Sequence, residues 1–225
     1  MTKKEMKELK KAAAMFVNMG IVCGEAYSNG ASFKASGKSC LQYYTNLSNL
    51  LQMVSSIVYL LIYQMKLYRY VRLSLLLRYA ATVSLLVTFL TVVFVLIPSA
   101  SPKGSPEGTR QAKAKEMLFE GPAFYLHFLC PILSFLSFVL FEDSGEEAER
   151  LHMDDVLWAA SPTFAYAVIF SILNLLKKVK GPYVFLHVYE QPWYISVMWM
   201  LVIPGGSVLF ALAVKALRDL LRKAA

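Results

Sequence analysis

Tyr43-Tyr44-Thr45-Asn46-Leu47-Ser48-Asn49-Leu50-Leu51-Gln52 opens an apolar run that continues to about Leu67, yet its first turns are crowded with hydroxyls and amides. At helical spacing Thr45, Asn49, Gln52 and Ser56 share one face, and Ser48 and Ser55 widen it. In hydrocarbon each unpaired polar group is costly, because no water is present to satisfy it. The face must therefore point into protein or into a wet cavity. That makes the stretch one wall of a membrane helix bundle.

The rest of the chain has the matching character. Of 225 residues 57% are hydrophobic, and the mean hydropathy is +0.49; soluble domains are nearer ~45–50% apolar. The excess comes in blocks long enough to span a bilayer. The expected fold is all-α: a polytopic membrane helix bundle forming a single domain over 1–225. Its six transmembrane helices fall at about 12–27, 41–67, 73–97, 122–141, 156–176 and 193–217.

The first span is short and carries Asn18 and Glu25, and a polar loop over 28–39 follows it, marked by Asn29-Gly30 and Ser36-Gly37. Lysines followed by an apolar run superficially suggest a signal peptide, but no small-x-small cleavage pattern follows, so the run is kept as a membrane helix. The third run is the most uniformly apolar and shows no obvious chemistry. An exposed loop is expected over 99–115, rich in Ser, Pro, Gly and Lys. Pro131 should kink the fourth span or release a carbonyl, and Pro204-Gly205-Gly206 should break the sixth. The connection over 177–192 is too apolar for a solvated loop and should fold back on the bundle.

The net charge of +8 could suggest nucleic acid, but the basic residues sit at segment ends, so no nucleic-acid partner is expected. An even number of spans puts both termini on one side. The leader lysines, the turn with Lys66, Arg69 and Arg72, and the basic tail make that side cytoplasmic, in a multi-pass protein of the plasma membrane. The acidic 142–155 loop and Lys177, Lys178 and Lys180 on the outer side run mildly against this assignment. Cys23, Cys40 and Cys130 form neither a disulfide framework nor a zinc pattern, so neither metal nor cofactor is expected. Oligomeric state is not encoded in any pattern found.

One ionisable residue stands out at membrane depth. His127 lies in the run Phe124-Tyr125-Leu126-His127-Phe128-Leu129-Cys130-Pro131, about two turns into the fourth span. A structural imidazole satisfied by an interhelical hydrogen bond is the competing reading. Spans two and four both start on the outer side, so Thr45 and His127 lie at similar depth. A hydroxyl facing an imidazole is the minimum for a nucleophile with a general base. Asn46 or Asn49 could donate to a developing oxyanion, or could only hold Thr45 in place. Glu25 and Glu120 lie near span ends and should reach headgroups or water; Glu120 is also a weak candidate to orient His127.

Three stretches together resemble the androgen-induced-gene-like family of integral membrane proteins, and within it the prokaryotic branch. They are YYTNLSNLLQ over 43–52, YLHFLCPIL over 125–133 with Glu142 after it, and GPYVFLHV over 181–188. Their order and spacing cover nearly the whole chain. The resemblance implies a multi-pass threonine hydrolase. Animal members cleave fatty acid esters of hydroxy fatty acids with a Thr at the start of the second span and a His in the fourth. These fall on Thr45 as nucleophile and His127 as base. Asn46, Asn49, Gln52, Tyr183 and His187 are the expected substrate-binding residues, and the implied partner is a membrane lipid or lipid-like ester. The His127–Pro131 spacing and the amides after Thr45 depart from the animal members, so the substrate does not carry over.

The alternative is a non-catalytic lipid-binding protein or small transporter that uses the same polar cavity. A bundle with purely structural polar contacts is weaker, because interhelical hydrogen bonds average only about 0.6 kcal/mol.

Overall fold

A computed structural model describes residues 2–99, 109–143 and 145–224. The described residues are almost wholly helical, without strands, and five helices are long and apolar enough to cross a membrane.

Helix α1 spans Lys3–Ser36. Thr2 and Glu5 close its N-terminus as a reciprocal capping box. The loop expected over 28–39 is mostly helix instead. Asn29 donates to the Glu25 carbonyl four residues back, which carries the helix through Asn29-Gly30. It stops at Gly37, whose φ of +55° suits glycine.

The polarity of α1 is inverted. Asn18, Glu25 and Ser28 are buried with Ala14 and Ile21, while Phe16, Met19 and Tyr27 are exposed. Asn18, Glu25, Ser28 and the leader lysines keep the helix less apolar than the other long ones, and it falls outside the five apolar helices.

Helix α2, Tyr44–Gln64, buries the polar face expected of it. Helix α3, Val71–Thr91, continues through a π-helical turn, Val92–Leu96, to Ile97–Ser99. Of the expected 99–115 loop, 100–108 lies outside the described residues. The remainder begins α4, Thr109–Phe119, an added helix ahead of the fourth apolar run.

Helix α5 spans Gly121–Phe141. Pro131 cannot donate to the carbonyl of residue 127, and the backbone answers with a π turn over Tyr125–Leu129. Helix α6, Asp154–Leu175, holds Pro162 inside it. The carbonyl that Pro162 leaves free, that of Trp158, accepts from Ser161 Oγ at 2.7 Å. Helix α7, Trp193–Ala224, runs unbroken through Pro204, contrary to expectation. There Ser207 Oγ donates to the Pro204 carbonyl at 2.6 Å.

The core between α3, α5, α6 and α7 contains Tyr79 stacked on Phe138 at 5.7 Å, with Tyr79 Oη donating to the Ala211 carbonyl at 2.5 Å. The chain's two end regions and the acidic loop meet at one end of the bundle. Lys7 pairs with Glu146 at 2.5 Å, Arg222 with Asp143 at 3.4 Å and Arg72 with Asp155 at 2.5 Å. The acidic loop is thus the counter-charge of the basic leader, turn and tail. At the other end the 177–192 connection folds back, burying Tyr183 and Leu186.

Candidate functional site

Thr45 occupies the first turn of α2, where Asn46 ties the helix start to the preceding turn by donating to the Cys40 carbonyl at 2.9 Å. The Thr45 side chain is 7% exposed and lies on the wall of a cavity of about 340 Å³. That wall is built by α2, α3, α6, α7 and the folded-back connection, and it is mostly apolar: Val87, Leu96, Phe185, Trp199 and Ile203 are typical. Tyr183 Oη stands 3.5 Å from Thr45 Oγ1 and 3.4 Å from its backbone N–H, at the outer limit of a hydrogen bond. Burial pushes the Tyr183 phenol up, so it keeps its proton at neutral pH and can donate. Its ring is fixed by stacking on Phe185 at 5.0 Å and by an edge contact with Tyr43 at 6.1 Å.

His127 is not on that wall, and no hydrogen bond joins it to Thr45. It is half-buried in the π turn of α5, and its Nδ1 lies 3.0 Å from the Met117 carbonyl. A carbonyl can only accept, so a neutral ring carries its proton on Nδ1 and keeps a lone pair on Nε2. The orienting group is therefore the Met117 carbonyl and not Glu120, which pairs with Lys115 at 3.2 Å.

Asn49 sits between the two candidates. Its Nδ2 donates to the Thr45 carbonyl at 2.7 Å and to the Leu126 carbonyl at 3.2 Å, so one amide bridges the backbones beside Thr45 and His127. Both N–H groups of Asn49 are engaged on carbonyls, which makes it scaffold in this arrangement; Asn46 spends one N–H on the Cys40 carbonyl. His187 also lies off the wall: Nε2 is 3.1 Å from the Gly181 carbonyl and Nδ1 3.0 Å from Glu190, a structural brace for the connection.

Gln52 belongs to a separate buried network. It accepts from Ser134 at 2.9 Å and donates to Ser56 at 3.1 Å. Ser56 in turn accepts from Arg78, which pairs with Glu142 at 2.8 Å; the two side chains are 0% and 3% exposed. Asn18 and Ser137 donate to the same carboxylate at 2.9 and 2.6 Å.

This corrects two expectations. The third span does carry chemistry, in Arg78, and Glu25 does not reach headgroups. Glu25 is 0% exposed, accepting from Asn29 at 2.6 Å and from the Cys130 thiol at 2.8 Å. Arg78 was detectable: a charge inside an apolar run is the same signal that singled out His127.

Comparison of the chain with protein-family models, curated proteins and solved structures returns no match. Among the described residues no group of three or more His, Cys, Asp or Glu could hold a metal ion.

Proposed function

We propose that the chain is an intramembrane lipid-ester hydrolase with Thr45 as nucleophile. The observation that carries this is the place of Thr45 and Tyr183 on the wall of the apolar cavity of about 340 Å³. Ligand sites run from about 300 to 1,000 Å³. This one is at the small end, which suits a single acyl chain better than a two-chain phospholipid.

The ester would lie at Thr45, with the Tyr183 hydroxyl donating to its carbonyl oxygen. Thr45 Oγ1 attacks the carbonyl carbon and its proton passes to His127 Nε2. The carbon–oxygen bond to the alcohol then breaks and the alcohol takes the proton. Water, deprotonated in the same way, releases the acid from acyl-Thr45. Proton transfer to His127 requires the Thr45 hydroxyl to turn towards α5, the side on which Asn49 already bridges to Leu126. The free lone pair on Nε2 supports this role. Fatty acid esters of hydroxy fatty acids are the first substrates to try.

The chain is proposed to cross the plasma membrane six times, α1 being the sixth crossing, with both termini cytoplasmic. The exposed apolar face of α1 and the clustering of the basic residues at one end support this.

A panel of lipid esters and a fluorophosphonate probe test the reaction with wild type, Thr45→Ala and His127→Ala. Hydrolysis and labelling lost in both variants are expected; either one unchanged in both would remove Thr45 and His127 from the reaction. The position of His127 off the cavity favours a second reading, lipid binding without turnover. A copurifying single-chain lipid with no ester cleaved would establish it.

A further inference from the structure

A second cavity, of about 470 Å³, opens at the opposite end of α2, where the leader of α1 crosses the start of α3 and the acidic loop. It does not touch Thr45. Its wall combines aromatic rings with carboxylates: Tyr59, Tyr63, Tyr68 and Phe141 line it with four glutamates, of which Glu142 is paired with Arg78 and Glu146 with Lys7.

Of the two lysines, Lys7 is paired with Glu146. Its pKa is raised by that hydrogen bond, against some desolvation, with the charges of Glu149 and Glu8 adding to the effect. Glu8 and Glu149 on the same wall attract cations. Among the described residues Lys11 has no carboxylate within ion-pair distance. Its ammonium instead sits 5.5 Å from the Tyr63 ring centroid and 5.6 Å from that of Tyr68, with Tyr68 Oη at 3.5 Å. The seat is thus already shaped for an alkylammonium group. Tyr59, 3% exposed, lines the same space.

We propose that this second cavity is a binding site for an alkylammonium group, which takes the place that Lys11 holds between Tyr63 and Tyr68. Aromatic faces attract such cations through the ring quadrupole, more strongly where water is excluded. Neighbouring carboxylates neutralise the charge, and an incoming ammonium displaces Lys11 to solvent without changing the charge of the cage. A lipid headgroup and a free amine share this chemistry, and the location at the bundle end admits both.

Calorimetric titration of the purified full chain with choline, at constant ionic strength, tests the site. Saturable binding is expected in wild type. Lys11→Met, which empties the seat, should tighten it about tenfold, and Tyr68→Leu should weaken it about tenfold. Thr45→Ala should leave it unchanged. Weaker apparent choline binding in phosphatidylcholine nanodiscs than in phosphatidylglycerol nanodiscs identifies a headgroup as the occupant, and equal binding in both identifies a free amine. Absence of saturable choline binding in both wild type and Lys11→Met, each shown to be folded by circular dichroism, overturns the proposal. So does equal affinity in Tyr68→Leu and wild type.

Discussion

Glu142→Gln is the sharpest perturbation of this fold. The change keeps the shape of the side chain and removes only its charge. In the wild type Arg78 Nε and Nη2 donate to Glu142 at 2.8 to 3.1 Å, and both side chains are withdrawn from solvent. The amide leaves the guanidinium buried without a counter-charge, facing only neutral side-chain acceptors: the amide oxygen and Ser56, at 3.2 Å. With its oxygen at the Oε1 position the amide still accepts from Ser137 and Asn18, but its NH₂, at the Oε2 position, cannot accept from Arg78 Nε. Breaking a buried pair on one side costs about 3–5 kcal/mol. For a chain of this size that is about 6–20 °C in unfolding temperature, taking ~2–4 °C per kcal/mol.

The double variant Arg78→Met/Glu142→Leu removes both charges together. Asn18 keeps the Ala14 carbonyl at 2.9 Å, and Ser137 keeps its contact with Asn18 at 3.2 Å, so few polar groups are orphaned. It should recover most of the loss. Thermal unfolding of the detergent-solubilised protein, followed by tryptophan fluorescence, measures all three. A loss under about 1 kcal/mol in Glu142→Gln would refute the premise that the Arg78 charge depends on this carboxylate. A double variant much less stable than the single would refute it as well.

Other outcomes follow from particular contacts. Tyr183→Phe should lower ester turnover by about 10²–10³-fold in kcat if its hydroxyl serves the oxyanion, with KM little changed; unchanged kcat would remove it from the reaction. A Cβ at Gly24 would stand 2.2 to 2.5 Å from the Tyr125 ring, whose hydroxyl donates to the Ile21 carbonyl at 3.0 Å. Gly24→Ala should therefore cost about 1–3 kcal/mol in the same unfolding assay, whereas Gly20→Ala, with nothing within 4 Å, should be neutral or better. A spin label on Phe16→Cys should relax with dissolved oxygen and not with a water-soluble nickel chelate, and one on Lys3→Cys the reverse. Nickel relaxation at position 16 would show that α1 does not lie in the bilayer.

The five long apolar helices could be read from block hydrophobicity, and the buried polar face of α2 from its period. Polar residues behaved less legibly, because composition does not say which way they face. Glu25 and Asn29 read as a span end and a turn; both are inside a helix, Asn29 bonded to Glu25 within α1 and Glu25 to Cys130 of α5. Pro204-Gly205-Gly206 reads as a break, yet a helix held by its neighbours absorbs the missing donor. Thr45, expected to face protein or a cavity, lies on a cavity wall. Its distance from His127 could not be read, since similar depth leaves the rotation of each helix undetermined and the π turn before Pro131 resets the facing of His127.

The inside-out polarity of α1 has a consequence for how the protein is made. This helix leaves the ribosome before the other described helices, but Asn18 finds Ser137 and Glu142 only 119 and 124 residues later, and Glu25 finds Cys130 only after 105. Until α5 is synthesised, the polar side of α1 has no tertiary partner there. With α1 as a membrane crossing, as proposed, that polar side stays without these partners until the fourth apolar run arrives. Burial of the polar side of α1 is thus set by the middle of the bundle.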